Sequence, residues 1–203
     1  MTPPDWRLLG EVVVTVTVIM DPLGTVPIFL GLTAGRPAAA RRRLATQAVL
    51  VAGSVIATFA VFGQQILEYL GITLAALQGA GGLLLVLVAL ELLRGGNQQP
   101  EEVPDVNVAL VPLGTPLLAG PGAIAATIVF VRQADGFPDF AAIALALVAV
   151  HVVLWLALRY SAGVLRVIGD AGIHLVTRIL GLLLTAIAVQ LLAESVRAFV
   201  DAG

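Results

Sequence analysis

The chain has 203 residues, of which 59% are hydrophobic and 12% charged, with a mean hydropathy of +1.02 and a formal net charge of −2. It is far more apolar than an average soluble domain, and repeated apolar runs in such a chain mean membrane spans. The charge leaves no basic surface for nucleic acid, and the absence of cysteine excludes disulfides, thiol catalysis and cysteine-based metal sites.

Six runs reach the roughly 20 residues that a helix needs to cross the hydrocarbon core: 12–32, 44–67, 73–93, 107–131, 140–160 and 175–197. The first holds Asp21 at its centre, followed at once by Pro22, Gly24, Thr25 and Pro27. A carboxylate inside a span is costly and usually marks a functional site facing a bundle interior or a water-filled cavity. Its Asp-Pro break also opposes reading the run as a signal peptide, which wants a positive start and an uninterrupted apolar core. The fourth run answers with Thr115, Pro116, Gly120, Pro121 and Gly122, and the pairs Pro22/Pro27 and Pro116/Pro121 have the same spacing. Asp and Thr are favoured at helix starts and Pro suits the first helical position, so each run reads as a helix that stops and restarts near mid-membrane. The alternative is a pair of kinked spans in which Asp21 is only a cap.

Between the runs, the stretches 35–37, 70–71, 95–105, 135–139 and 166–172 read as loops. The third and sixth runs share a repeat: Gly82-Leu83-Leu84-Leu85 matches Gly181-Leu182-Leu183-Leu184, and Glu91-Leu92-Leu93 falls on Gln190-Leu191-Leu192 at the same offset. Three spans per half force the second half to be inverted. The expected fold is an all-α membrane protein of one integral domain, with repeat 1 at about 10–94, a linker at about 95–106 and repeat 2 at about 107–198. The first, third and fifth connections carry Arg36, Arg41, Arg42, Arg43, Arg94, Arg159, Arg166 and Arg178, against Arg7, Arg132 and Arg197 on the other side, which places both termini outside the cytoplasm.

In such an inverted pair the restarted halves present their N-termini to one another, and those ends attract an anion. With Asp21 beside them the site fits a zwitterion, namely an amino acid. His151, inside the fifth run, is either a proton relay together with Asp21 or a histidine hydrogen-bonded to a neighbouring helix. Gln78 and Gln190 are expected to bond between helices, and the run Gly79-Ala80-Gly81-Gly82 to allow close packing within the fold or between protomers of a homo-oligomer. No metalloprotease, nucleophile-elbow or phosphate-loop motif is present, so no enzyme activity, metal or cofactor is expected.

The strings Asp21-Pro22-Leu23-Gly24-Thr25-Val26-Pro27-Ile28-Phe29 and Val111-Pro112-Leu113-Gly114-Thr115-Pro116-Leu117-Leu118-Ala119-Gly120-Pro121-Gly122-Ala123-Ile124 resemble the two signature segments of the MarC family of bacterial inner-membrane proteins. The resemblance covers nearly the whole chain and implies six spans, an inner-membrane location and a lysine-exporter-like superfamily in which some relatives are assigned as transporters of small neutral amino acids. Thr25 departs from the Asn expected in many relatives. The expected function is therefore transport of a small solute, a neutral amino acid, with a non-transporting membrane scaffold as the alternative.

Overall fold

In the computed structural model, residues 5–94 and 118–201 are described, and all their regular structure is helical. The helices are α1 (Trp6–Met20), α2 (Thr25–Leu32), α3 (Ala38–Leu70), α4 (Leu74–Arg94), α5 (Pro121–Arg132), α6 (Phe137–Arg159) and α7 (Ser161–Asp201).

The ends of these helices follow from local chemistry. Asp5 caps α1, its Oδ1 accepting the Arg7 and Leu8 N–H groups at 2.9 and 3.2 Å. Gly71 ends α3 in the left-handed conformation at φ 68°, and the Ile72 N–H turns back to the Leu67 carbonyl at 2.9 Å. Thr73 then starts α4 by accepting the Ala76 N–H at 3.1 Å.

Among the described residues four helices, Ala38–Leu70, Leu74–Arg94, Phe137–Arg159 and Ala171–Asp201, are long and apolar enough to cross a bilayer, and α1 with α2 passes the same test as a pair bent by 45° at its break, the form of a broken span or a re-entrant loop. Within the expected fourth span the described residues hold α5, an apolar helix of twelve residues, shorter than a crossing needs. Positions 107–117, including Thr115 and Pro116, lie outside the described residues, as does the expected linker.

The expected loop 35–37 separates α2 from α3, while two other features of the expected connections take a different form. Arg41, Arg42 and Arg43 lie in the first turns of α3. At 1.5 Å per residue this helix is about 50 Å long, against a hydrocarbon core of about 30 Å, so its charged end projects into the interface. The expected loop 166–172 is helical except at Gly169, whose φ of 71° and ψ of 163° put a sharp break inside α7. One glycine achieves what the sequence spread over seven positions, because only glycine enters this backbone region without steric cost.

The largest packed cluster joins α1, α3, α5 and α6 through Val12, Val16, Ala48, Ile56, Ala126, Val150 and Leu154, all buried. Small residues such as Ala45, Ala48, Ala52 and Ala146 let the helix backbones approach, which is how spans associate when lipid is as apolar as their side chains. Val14, Leu50, Val61, Leu83, Val148 and Leu182 face outward and present the apolar surface that a bilayer solvates.

α4 makes its most extensive contact with α7. A Cβ placed on Gly82 would stand 2.9 Å from the Ala188 carbonyl oxygen, and one on Gly181 would stand 3.4 Å from the Ala89 carbonyl oxygen. The pairing runs antiparallel, since rising numbers in α4 meet falling numbers in α7. Further along, Gln78 Nε2 donates to Glu194 Oε2 at 3.1 Å and Ser195 Oγ to the Ala75 carbonyl at 2.8 Å. Gln78 thus bonds between helices as expected, whereas Gln190 donates to Glu194 Oε1 within its own helix. The glycine-rich run is used inside the fold: Gly79 meets Ser195, Gly81 meets Ala125 and Gly82 meets Ala188 and Leu192.

Candidate functional site

The break between α1 and α2 is built by Asp21. Its φ of 37° makes it the only non-glycine residue with positive φ among the described residues; Asp is one of the few side chains that enter this region readily. Pro22 has no N–H and so cannot continue α1. Asp21 closes α1 by donating its N–H to the Thr17 carbonyl at 3.0 Å and opens the next helix by accepting the Gly24 N–H on Oδ1 at 2.9 Å. Its own carbonyl accepts both the Thr25 N–H at 3.0 Å and the Thr25 hydroxyl at 2.8 Å. One residue therefore caps two half-helices in opposite senses.

This arrangement changes what the first break offers a ligand. The amides of Gly24, Thr25 and Val26 already donate to Asp21 Oδ1, the Asp21 carbonyl and the Leu23 carbonyl. What remains open is negative: Asp21, only 6% exposed, has its second oxygen Oδ2 buried with no hydrogen-bond partner among the described residues.

The start of α5 supplies the complement. α5 starts at Pro121 with Gly120 before it in extended conformation, and Gly120 has no side chain with which to cap its first turn. At a helix start the Gly122 and Ala123 amides have no intrahelical acceptor, so this end carries partial positive charge.

The break at Asp21 and the start of α5 reach one cavity of about 200 Å³, lined by Asp21, Gly24 and Thr25 on one side and by Gly120, Gly122 and Ala123 on the other. Leu84, Leu85, Val88 and the exposed Glu91 of α4 complete much of its wall. Of the residues singled out in the sequence, Asp21, Gly24, Thr25, Gly120 and Gly122 thus come together. Pro22 and Pro27 shape the backbone beside the cavity without lining it, and Pro121 sets the start of α5. Gly122 is packed more closely than its sequence setting conveys, since a Cβ there would run into Leu85 Cδ2.

His151 is elsewhere. It lines a separate, apolar groove of about 810 Å³ between α3 and α6, where its ring packs on Gly53 and its Nδ1 donates to the Leu147 carbonyl at 2.7 Å. The partner is on its own helix rather than a neighbouring one. Trp155 of the same groove donates to Thr46 Oγ1 at 3.0 Å. Thr177 of α7 was not apparent from the sequence: a Cβ on Gly24 would run into Asp21 Oδ2 and lie 3.1 Å from Thr177 Oγ1. A lone hydroxyl in an apolar run is the only signal it leaves.

Residues 6–200 match the family model described as MarC family integral membrane protein. The chain is 38% identical over 186 residues to a UPF0056 membrane protein of Methanocaldococcus jannaschii, covering 88% of this chain and 91% of the relative. It is 30% identical to the UPF0056 membrane protein YvbG of Bacillus subtilis, with 95% of each chain covered. It is also 30% identical to the UPF0056 inner membrane protein MarC of Escherichia coli, with 94% of this chain and 95% of the relative covered. No solved structure matches the chain. With the family model matching residues 6–200 and these relatives covering 88–95% of the chain, the protein belongs to the MarC family of integral membrane proteins.

Proposed function

We propose that this protein is a transporter, not an enzyme, and that it moves a small zwitterion, a neutral amino acid, through the cavity between its two helix breaks. The observation that carries the reading is the polarity of that cavity. Asp21 supplies negative charge on one side, and the start of α5, with Gly120 at its N-cap, supplies backbone donors on the other. A substrate ammonium is drawn to the first and a substrate carboxylate to the second. At about 200 Å³ the cavity falls below the roughly 300–1,000 Å³ of sites for drug-sized ligands, which favours a small solute.

The architecture that goes with this function is six spans in two inverted repeats, both termini outside the cytoplasm, in the inner membrane. The antiparallel α4–α7 pair supports it. Positions 82 and 181 are repeat mates at an offset of 99, as are 89 and 188, and the contact of Gly82 with Ala188 recurs as the contact of Gly181 with Ala89. Such exchange of partners is what a two-fold relation between the halves produces.

The test is counterflow of labelled neutral amino acids in vesicles containing the purified protein, with binding of each amino acid compared with its amide. Exchange, and a loss of about 1–3 kcal/mol for the amide through unmet charge-assisted hydrogen bonds, is the expected result. A protein that exchanges none of them is the membrane scaffold instead.

A further inference from the structure

We propose that Asp21 Oδ2 and Thr177 Oγ1 are two ligands of a site for one sodium-sized monovalent cation, seated behind Gly24 between the first helix break and α7. Both oxygens are buried and neither has a hydrogen-bond partner among the described residues. They face the same spot on Gly24, where a Cβ would strike the first and lie 3.1 Å from the second. Two orphaned oxygens meeting in a span are costly unless something joins them.

Charge identifies what joins them. The residues lining the adjacent cavity include no Arg or His, the other ionisable group there, Glu91, is acidic, and His174 and Arg178, near Thr177 along α7, are exposed. An unpaired carboxylate at this depth calls for a positive counter-charge. Carboxylate and hydroxyl oxygens are hard donors that suit alkali and alkaline-earth ions. A single carboxylate balances one charge, and no cluster of three His, Asp or Glu exists among the described residues to hold a divalent ion. The end of α1 adds to the negative potential: Pro22 has no N–H for the Val18 carbonyl, and among the described residues the Met20 carbonyl receives only a 3.4 Å contact from Thr25 Oγ1.

The repeat makes Thr177 distinctive. Its mate at the offset of 99 is Gln78, whose side chain is satisfied by Glu194 at 3.1 Å. The same position is thus a finished interhelical bond in one half and an open oxygen in the other. Thr177 lines no part of the substrate cavity, so the cation meets Asp21 from the side of α7 while a substrate ammonium meets it from the cavity, and the two share its one charge. The site deepens the transporter reading by supplying a coupling ion, and it rests on that reading only for the coupling; cation binding is measured without transport.

Thermal unfolding of the purified protein in detergent is followed while sodium chloride replaces choline chloride at constant ionic strength. A saturable rise in Tm of about 2–4 °C with sodium is expected. Thr177→Ser keeps the response, the isosteric Thr177→Val weakens the apparent sodium affinity at least tenfold, and Asp21→Asn removes the response. Equal behaviour in sodium and choline, or equal sodium responses in Thr177→Val and Thr177→Ser, overturns the site. A Tm that rises as pH falls but ignores sodium assigns the position to a proton and overturns it as well. Sodium stabilisation without amino-acid binding in the same assay leaves the cation site standing and removes the substrate reading.

Discussion

Gly82 and Gly181, 99 positions apart, each lie against a backbone carbonyl of the helix that carries the other: Gly82 faces Ala188 on α7, and Gly181 faces Ala89 on α4. The two contacts are not equally tight. At Gly82 a Cβ would meet the carbonyl oxygen and Leu192 Cγ at 2.9 Å, whereas at Gly181 the nearest atom is Leu92 Cβ at 3.1 Å. Backbone cannot move aside as a side chain can, so Gly82→Ala is expected to destabilise by about 1–3 kcal/mol through overpacking, and Gly181→Ala by less. Thermal unfolding in detergent measures both. An unchanged Gly82→Ala protein, or the reverse order, would show that the helices are not held at this separation.

Asp21→Asn retains a side-chain oxygen for the Gly24 N–H, now at 2.9 Å from Oδ1, and removes the charge. Expression, and Tm measured in choline, are expected to stay near wild type while substrate exchange is lost. Normal exchange by this variant would reduce Asp21 to a cap for the two half-helices.

Gly122→Val is expected to disrupt substrate binding by displacing Leu85, because the added Cβ runs into the Leu85 side chain. Leu85→Ala alone opens a cavity at a fully packed position and costs about 2–5 kcal/mol. Combining the two should cost less than the sum, with a coupling of about 0.5–3 kcal/mol in favour of the double variant. Strict additivity in a thermal double-mutant cycle is the result that separates Gly122 from Leu85.

Reporter fusions locate the ends of the chain. From the eight arginines on one set of connections against three on the other, the expected outcome is Gly35 in the cytoplasm and Gly203 outside it. Cytoplasmic reporter activity at Gly203 would remove the inverted arrangement of the two halves.

The helical, membrane-spanning class of this protein was written in its composition and in runs of apolar residues long enough to cross a bilayer, because a span must satisfy every backbone group internally. The position of the first break was equally legible: Pro22 cannot donate to α1, and the residue before a proline leaves helical geometry, which is where Asp21 stands at φ 37°. The break in α7 was blurred, since a polar stretch around Gly169 marks an interruption without saying that one dihedral suffices. Tertiary structure decided the rest. Local sequence reads Asp-Pro as a helix start with free donors, yet the same carboxylate consumes the Gly24 amide and leaves an acceptor in its place. Nothing near Thr177 in the chain points to Gly24, and nothing near Gly122 points to Leu85; these neighbours arise from helix packing across well over thirty positions. His151, equal to Asp21 in the sequence as a polar group within a span, is turned to a different face of the bundle. Periodicity and helix-end chemistry are local and can be read along the chain, whereas a site is made of residues that only packing brings together.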